Sequence, residues 1–148
     1  MTEMNQINSN AVAIQDNVRS YFDAILPTSS IIAVYLFGSH ANGNANDASD
    51  VDIGVYFDPL AFKKDPVRTS APAYITAAQS GIATEKKIDV TILNTASLEI
   101  AYEVITTGIL IVQNDMDKRF DFEIAIKGMY FDFRPFLETI RSKSVAAL

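Results

Sequence analysis

Apolar and polar positions alternate along this chain with two different periods. Between Asn10 and Leu26, the residues Ile14, Val18, Phe22 and Ile25 recur every three or four places, which puts them on one face of a helix. Ser9 or Asn10 is the expected cap of that helix, and Pro27 with Thr28-Ser29-Ser30 is its stop. Ile31 to Phe37 is then an unbroken β-branched and aromatic run, which predicts a strand ended by Gly38-Ser39. Small and polar residues, His40 to Ser49, precede a second apolar run, Ile53 to Phe57, which predicts a second strand closed by Asp58-Pro59. The segment to Thr69 reads as a charged loop. Its Lys63, Lys64 and Arg68 are either solvated or reach a phosphate or a partner.

Ser70 to about Thr84 is expected to be a helix capped by Ser70, with Pro72 in its first turn. Ile88 to Leu93 follows as a strand with Ile88, Val90 and Ile92 on one face and Asp89, Thr91 and Leu93 on the other. A helix over Ser97 to Thr107, with Gly108 at its C′ position, leads to a short last strand, Ile109 to Val112. Asp115 or Asp117 should cap a long helix to about Phe133, where Pro135 interrupts it. Residues 1 to 8 and the tail from Ser142 are expected to fray. In that last helix Phe120, Ile124 and Phe131 fall on one side, and Phe122, Ile126, Met129 and Phe133 nearly opposite. Either the helix is central and covered on both sides, or one stripe is a docking face. In so small a domain a last helix is peripheral, which favours docking.

Composition narrows the classes. At 148 residues and 49% hydrophobic the chain is expected to be one domain, 1–148, with a sizeable core. With no cysteine there is neither a disulfide nor a thiolate metal site, which fits a reducing, cytoplasmic setting. No signal-peptide pattern and no apolar run near 18 residues is present, so neither export nor membrane insertion is expected. A net charge of −6 repels a phosphate backbone, which disfavours direct nucleic-acid binding and suits a basic protein surface.

The stretch with candidate chemistry runs from Ile31 to Phe57. Asp50 and Asp52 are one residue apart, so on a strand they point the same way. Two carboxylates side by side repel unless a cation lies between them, and oxygen-only ligands favour a hard divalent ion such as magnesium. Gly38 and Ser39, at the end of the preceding strand, can bring backbone N–H groups and a hydroxyl to a phosphate. In this order the two halves point to metal-dependent chemistry on a nucleoside triphosphate. Asp89 is either an exposed strand-end acid or a third member of the group; beside the paired acids the second reading is preferred. His40, the lone histidine, either faces solvent or supplies a weak, pH-dependent cation to the turn.

Gly38-Ser39, ten residues, then Asp50-Val51-Asp52, with Asp89 on a later strand, resembles the DNA-polymerase-β-like nucleotidyltransferase superfamily. The later runs Ala101 to Asp115 and Arg119 to Leu137 look like its MntA branch. These are minimal nucleotidyltransferases that serve as antitoxins to HEPN-domain HepT toxins. The resemblance spans about Ile31 to Leu137. It implies an α+β fold, a small mixed sheet with packed helices. It implies that Gly38, Ser39 and Ser49 bind the nucleotide, and that Asp50, Asp52 and Asp89 hold two magnesium ions, with Asp89 also activating the attacking hydroxyl. It further implies transfer of AMP from ATP to a tyrosine of a HEPN ribonuclease, which is silenced and held tightly, with a partner-binding helical segment at about 115–140. The chain departs from the family pattern just after Gly-Ser, where basic residues are usual: it has His40, Ala41, Asn42 and Gly43. Two alternatives remain. One is a small-molecule transferase of the aminoglycoside-modifying kind, against which the short chain argues. The other is an antitoxin that acts by binding alone.

Overall fold

In a computed structural model, residues 2–43, 45–46 and 49–146 are described, with side chains described from residue 10 to 143. Asn44, Asp47 and Ala48 of the linker and the chain ends Met1, Ala147 and Leu148, part of the expected frayed ends, lie outside the described residues. The elements follow in the order α1 (Thr2–Ile25), a 3-10 turn (Leu26–Thr28), β1 (Ile31–Phe37), α2 (Ser39–Asn42), β2 (Val51–Phe57), α3 (Pro59–Lys64), α4 (Pro66–Thr84), β3 (Ile88–Ile92), α5 (Leu98–Thr107), β4 (Ile109–Gln113) and α6 (Met116–Ala146). The four strands form one sheet in the order β3-β2-β1-β4. β1 pairs antiparallel with both β2 and β4, while β2 and β3 run parallel, so the sheet is mixed as expected. No helix among the described residues is long and apolar enough to cross a membrane.

Alternation along the strands divides the core in two. Val34, Leu36, Val51, Ile53, Val55 and Phe57 meet α1 and α4 on one side, with Ile88, Val90 and Ile92 packed against the same cluster. Ala33, Tyr35, Tyr56 and Leu93 meet α5 and α6 on the other. The split of β3 into an Ile-Val-Ile face and a face carrying Asp89 and Leu93 therefore holds. Asn94 extends the β2–β3 pairing with its side chain: its Oδ1 accepts the Phe57 N–H and its Nδ2 donates to the Phe57 carbonyl, both at 2.9 Å.

Four expectations change. α1 begins at Thr2, so Ser9 and Asn10 are interior to it, and residues 2–8 are helical. The loop expected up to Thr69 contains α3, and α4 begins at Pro66. Asp58-Pro59 and Asp65-Pro66 are two copies of one start signal: each aspartate accepts amide N–H groups of the first turn, and each proline takes N1, where no N–H is needed. Ser70 is not a cap, because its hydroxyl donates back to the Pro66 carbonyl at 2.8 Å. Finally, α6 is capped by Asp115, which accepts the Lys118 N–H at 3.0 Å, but it continues through Pro135 to Ala146. A proline inside a helix costs one backbone bond; the turns around and beyond it carry the exposed ion pairs Arg134–Glu138 along α6 and Arg141–Glu99 to α5, each of small energetic weight.

A polar cluster fastens α6 to the sheet. The Tyr35 hydroxyl donates to Glu123 Oε1 at 2.7 Å, and Arg119 Nη1 donates to both Glu123 oxygens at 3.0 and 3.1 Å. Burial, and then the Glu123 carboxylate, hold the Tyr35 hydroxyl in its protonated, donating form well above the usual tyrosine range. The Arg119 and Glu123 side chains are each 13% exposed, so the pair is largely out of water. Glu123→Ala would leave a mostly buried guanidinium and a phenol without their acceptor, and should lower stability by about 3 kcal/mol. Glu123→Gln, which keeps an acceptor, should lose less. Urea unfolding checks this, and a loss under about 1 kcal/mol for the alanine variant would mean that the cluster does not anchor the helix.

Candidate functional site

β1 ends where Gly38 takes φ 73° and ψ −150°, a conformation that side chains with a Cβ avoid. That bend turns the chain into the single helical turn α2, whose Ala41 and Asn42 amides donate to the Gly38 carbonyl at 3.1 and 3.2 Å. A Cβ on Gly38 would stand 2.7 Å from Asp52 Oδ2, so the bare glycine lets the bend lie directly against that carboxylate. The bend and the acid are brought together by pairing: Phe37 is opposite Asp52 in the antiparallel β1–β2 register.

Asp52 is also opposite Asp89 in the parallel β2–β3 register, so the two acids are neighbours on adjacent strands and on the same face of the sheet. The Val51 N–H donates to the Lys87 carbonyl at 2.9 Å, which pins the two strand starts level. Asp50 immediately precedes β2 and is exposed, and its charge is felt at Asp52. Burial, then the Asp89 charge, then the Asp50 charge raise the Asp52 carboxyl above its ordinary range, with a smaller push from Glu103 and a counteracting pull from His40. Glu103 was not singled out in the sequence, where it reads as an ordinary outward residue of an amphipathic helix. α5 carries it close because Gly54, next to Asp52 on the same face, leaves room for Val104 and Leu93 to press onto the strand.

His40 is half-buried, with Nε2 3.1 Å from the Ser49 carbonyl oxygen, so it clasps the two ends of the loop instead of pointing into solvent. The Ser49 hydroxyl accepts the Asn46 N–H at 3.0 Å and closes a turn within the same loop. Asp89 Oδ1 lies 3.5 Å from Lys87 Nζ, an exposed pair of little energetic weight. Ser39 and His40 also line a cleft of about 680 Å³ with Asn10, Asn17, Thr84 and Lys86, and none of the three aspartates lines it.

Among the described residues, no three His, Cys, Asp or Glu side chains gather closely enough to hold a metal ion by themselves. The structure sets two of the three acids expected as ligands, Asp52 and Asp89, side by side, with Asp50 exposed just before β2 and its charge reaching Asp52. The pair still fits magnesium. Its donors are all oxygen, its mutual repulsion is what a divalent cation relieves, and magnesium at nucleotide sites takes one or two carboxylates and completes its shell with phosphate and water.

The polymerase beta nucleotidyltransferase family model matches residues 22–117. No curated protein sequence matches the chain. Among solved structures, a toxin–antitoxin with AMP-PNP is similar at 21% identity and a TM-score of 0.63, covering 86% of this chain and 98% of that one. The tri-AMPylated Shewanella oneidensis HEPN toxin in complex with its MNT antitoxin matches at 20% identity and 0.61, over 88% and 98% of the two chains. The MntA–HepT toxin–antitoxin matches at 19% identity and 0.60, over 90% and 97%. At these identities the structural likeness speaks for the fold, whereas the family model takes in the Gly38-Ser39 bend and all three aspartates. The chain therefore belongs to the polymerase beta nucleotidyltransferase family.

Proposed function

We propose that this protein is an antitoxin that transfers AMP from ATP to a tyrosine of a HEPN-domain toxin. The observation that carries the reading is the register of Asp52 with Asp89 beside the Gly38 bend. In this reading the bend's backbone amides and the Ser39 hydroxyl receive the phosphates, and Ser49 borders them through its link to His40. Asp52 and Asp89 would hold magnesium, with Asp50 adding its charge beside them. The metal would offset phosphate charge and polarise the α-phosphorus. A tyrosine hydroxyl ionises near pH 10, so at neutral pH it needs a base as it attacks. Asp89, whose side chain is partly open to solvent, accepts that proton. A bond forms between the phenolic oxygen and the α-phosphorus, the α–β phosphoanhydride bond breaks, and pyrophosphate leaves.

The solved complexes of similar fold pair an MNT chain with a HEPN toxin, which supports a partner of that kind for this chain. α6 offers a surface for it. Phe122 and Ile126 turn inward, with the Phe122 ring stacked on Tyr56 at 3.9 Å, whereas Phe120, Ile124 and Phe131 stay exposed. Past the edge of the sheet, Met129, Phe133, Phe136 and Ile140 are exposed as well. Stacking of Tyr130 on Tyr102 of α5, at 3.6 Å, holds this part of the helix in place.

Incubation with ATP, magnesium and the HEPN protein, followed by mass spectrometry, should show one or more AMP units on the partner. Phe131→Glu should weaken the complex roughly tenfold or more, since it puts a charge where the partner would cover an exposed ring. The second reading, neutralisation by binding alone, draws on the absence of a three-carboxylate group among the described residues. It predicts that an Asp52→Asn variant still silences the toxin with no AMP transferred to it.

A further inference from the structure

The sheet has two edges, and they are built differently. At β4 a bulge breaks the register: Val34 pairs with Val112 and Tyr35 with Leu110, which leaves Ile111 extra. The Ile111 carbonyl accepts the Arg19 Nε–H of α1 at 3.1 Å, so this edge is blunted against a further strand. At β3 the register with β2 runs unbroken from Ile88 to Ile92. The Lys87 carbonyl accepts the Val51 N–H, and the Leu93 N–H donates to the Val55 carbonyl, both at 2.9 Å. Alternate residues of a parallel ladder bond to the same neighbour, so the backbone groups of Asp89 and Thr91 also face β2. Those of Ile88, Val90 and Ile92 then point out of the sheet, where β3 has no second strand. Among the described residues nothing bonds to these outward groups. Proteins blunt such an edge with proline, lysine or a bulge, and the run Ile88 to Ile92 has none of the three.

What would fill the edge follows from what stands on it. Open backbone donors and acceptors in a row are matched by another extended chain. Ile88, Val90 and Ile92 turn their side chains to the α1 and α4 side, so Asp89 lies on the opposite face, the one it shares with Asp52. The Asp89 side chain is 43% exposed, so the space beside it is open. A strand added here would place one residue directly opposite Asp89, at a position not engaged in the new hydrogen bonds. There the Cβ atoms approach to about 4.5–5.5 Å and both side chains point to the same face. A second copy is a poor occupant: pairing β3 with itself about a twofold axis would carry another Asp89 to a place where Asp52 and Asp89 already repel. We infer that the free edge of β3 takes an extended segment of the acceptor protein as an added strand, which sets the acceptor tyrosine opposite Asp89. This rests on the transferase reading above and adds how the acceptor is presented to it.

The test follows amide hydrogen exchange, residue by residue, in the full chain alone and with the HEPN protein and magnesium. In the free chain the Val90 and Ile92 amides should exchange at least roughly tenfold faster than those of Asp89 and Thr91, which are bonded to β2. The partner should then slow Val90 and Ile92 roughly tenfold or more, whereas a partner held at α6 alone would leave them fast. Val90→Pro removes an outward donor that the sheet does not use, so the fold should be kept. It should raise KM for the HEPN protein roughly tenfold or more, with ATP binding unchanged. Unchanged exchange at Val90 and Ile92 while AMP is transferred overturns the inference and leaves the transferase reading standing. That measurement is made on the wild type and decides the matter even where the proline variant does not fold. Slowed exchange at these two amides with no AMP transferred upholds the added strand and sinks the transferase reading instead. A folded Val90→Pro protein with the wild-type KM also overturns the inference, as does a dimer in sedimentation velocity that Val90→Pro dissolves.

Discussion

Replacing Asp52 by asparagine should cut AMP transfer below roughly one thousandth of the wild-type rate while leaving the metal-free protein no less stable. The two effects have one cause. Asp52 is pressed by burial and by the neighbouring Asp89 and Asp50 charges, and its carboxyl is raised above the usual range. A raised carboxyl favours the folded state while it is protonated, at pH values below the ordinary carboxylate range. That contribution is lost as pH rises through the folded value. At neutral pH the wild type therefore carries an unrelieved charge that asparagine does not. Thermal unfolding in a chelator should show the variant gaining on the wild type as pH is raised from about 3.5 to 7. Added magnesium should raise the wild-type melting temperature by binding the folded state, and should move that of the variant little. Asp50→Asn should move both curves in the same direction as Asp52→Asn but by less, because it removes a charge that presses on Asp52 while Asp50 itself is exposed. A metal-free Asp52→Asn protein that melts well below the wild type at neutral pH would mean that some group holds this carboxylate in its charged form, and the metal reading would fail.

Gly38→Ala should cost both stability and activity, and for separable reasons. The φ of 73° with ψ −150° strains any residue with a Cβ by roughly 1–3 kcal/mol. In addition the new methyl would stand 2.7 Å from Asp52 Oδ2, so the carboxylate must swing aside and leave its place beside Asp89. Transfer should fall by roughly a hundredfold or more even where the protein remains folded. Gly43→Ala is the control: it has a φ of 81° but nothing within 4 Å of its Cβ, so it should show strain without loss of transfer. Adding Asp52→Ala to Gly38→Ala removes the group that the methyl strikes. The double variant should then be more stable than the sum of its parts requires, by roughly 0.5 kcal/mol or more. Strict additivity would place the two residues out of contact and undo the account of the bend.

Local pattern was enough for much of this. The run Ile31 to Phe37, the break at Gly38-Ser39, the alternation in Ile88 to Leu93 and the amphipathic α5 are each specified by neighbours in the chain, and each was legible without a structure. So was the order of a glycine-serine break followed by two aspartates, although it is the β1–β2 pairing that sets the bend against Asp52. The start of α4 is ambiguous in the sequence for a local reason too: Ser70-Ala-Pro and Asp65-Pro66 both carry start signals, and in the fold the aspartate takes the amide while the serine bonds backwards.

Other features had no local signature. Asp50 and Asp52 look equivalent on paper, and only the point at which β2 begins separates them, because pairing of Val51 with the start of β3 puts one acid in the sheet and leaves the other outside it. The meeting of Asp52 with Asp89 joins residues 37 positions apart, and the Tyr35–Glu123 bond joins residues 88 apart. Both depend on strand register and helix docking, which are set by how apolar faces fit across the whole sheet and not by any stretch of chain. Sequence alone determined which residues are chemically equipped to act; tertiary packing decided which of them share a site, because proximity between distant segments exists only once the core that joins them has formed.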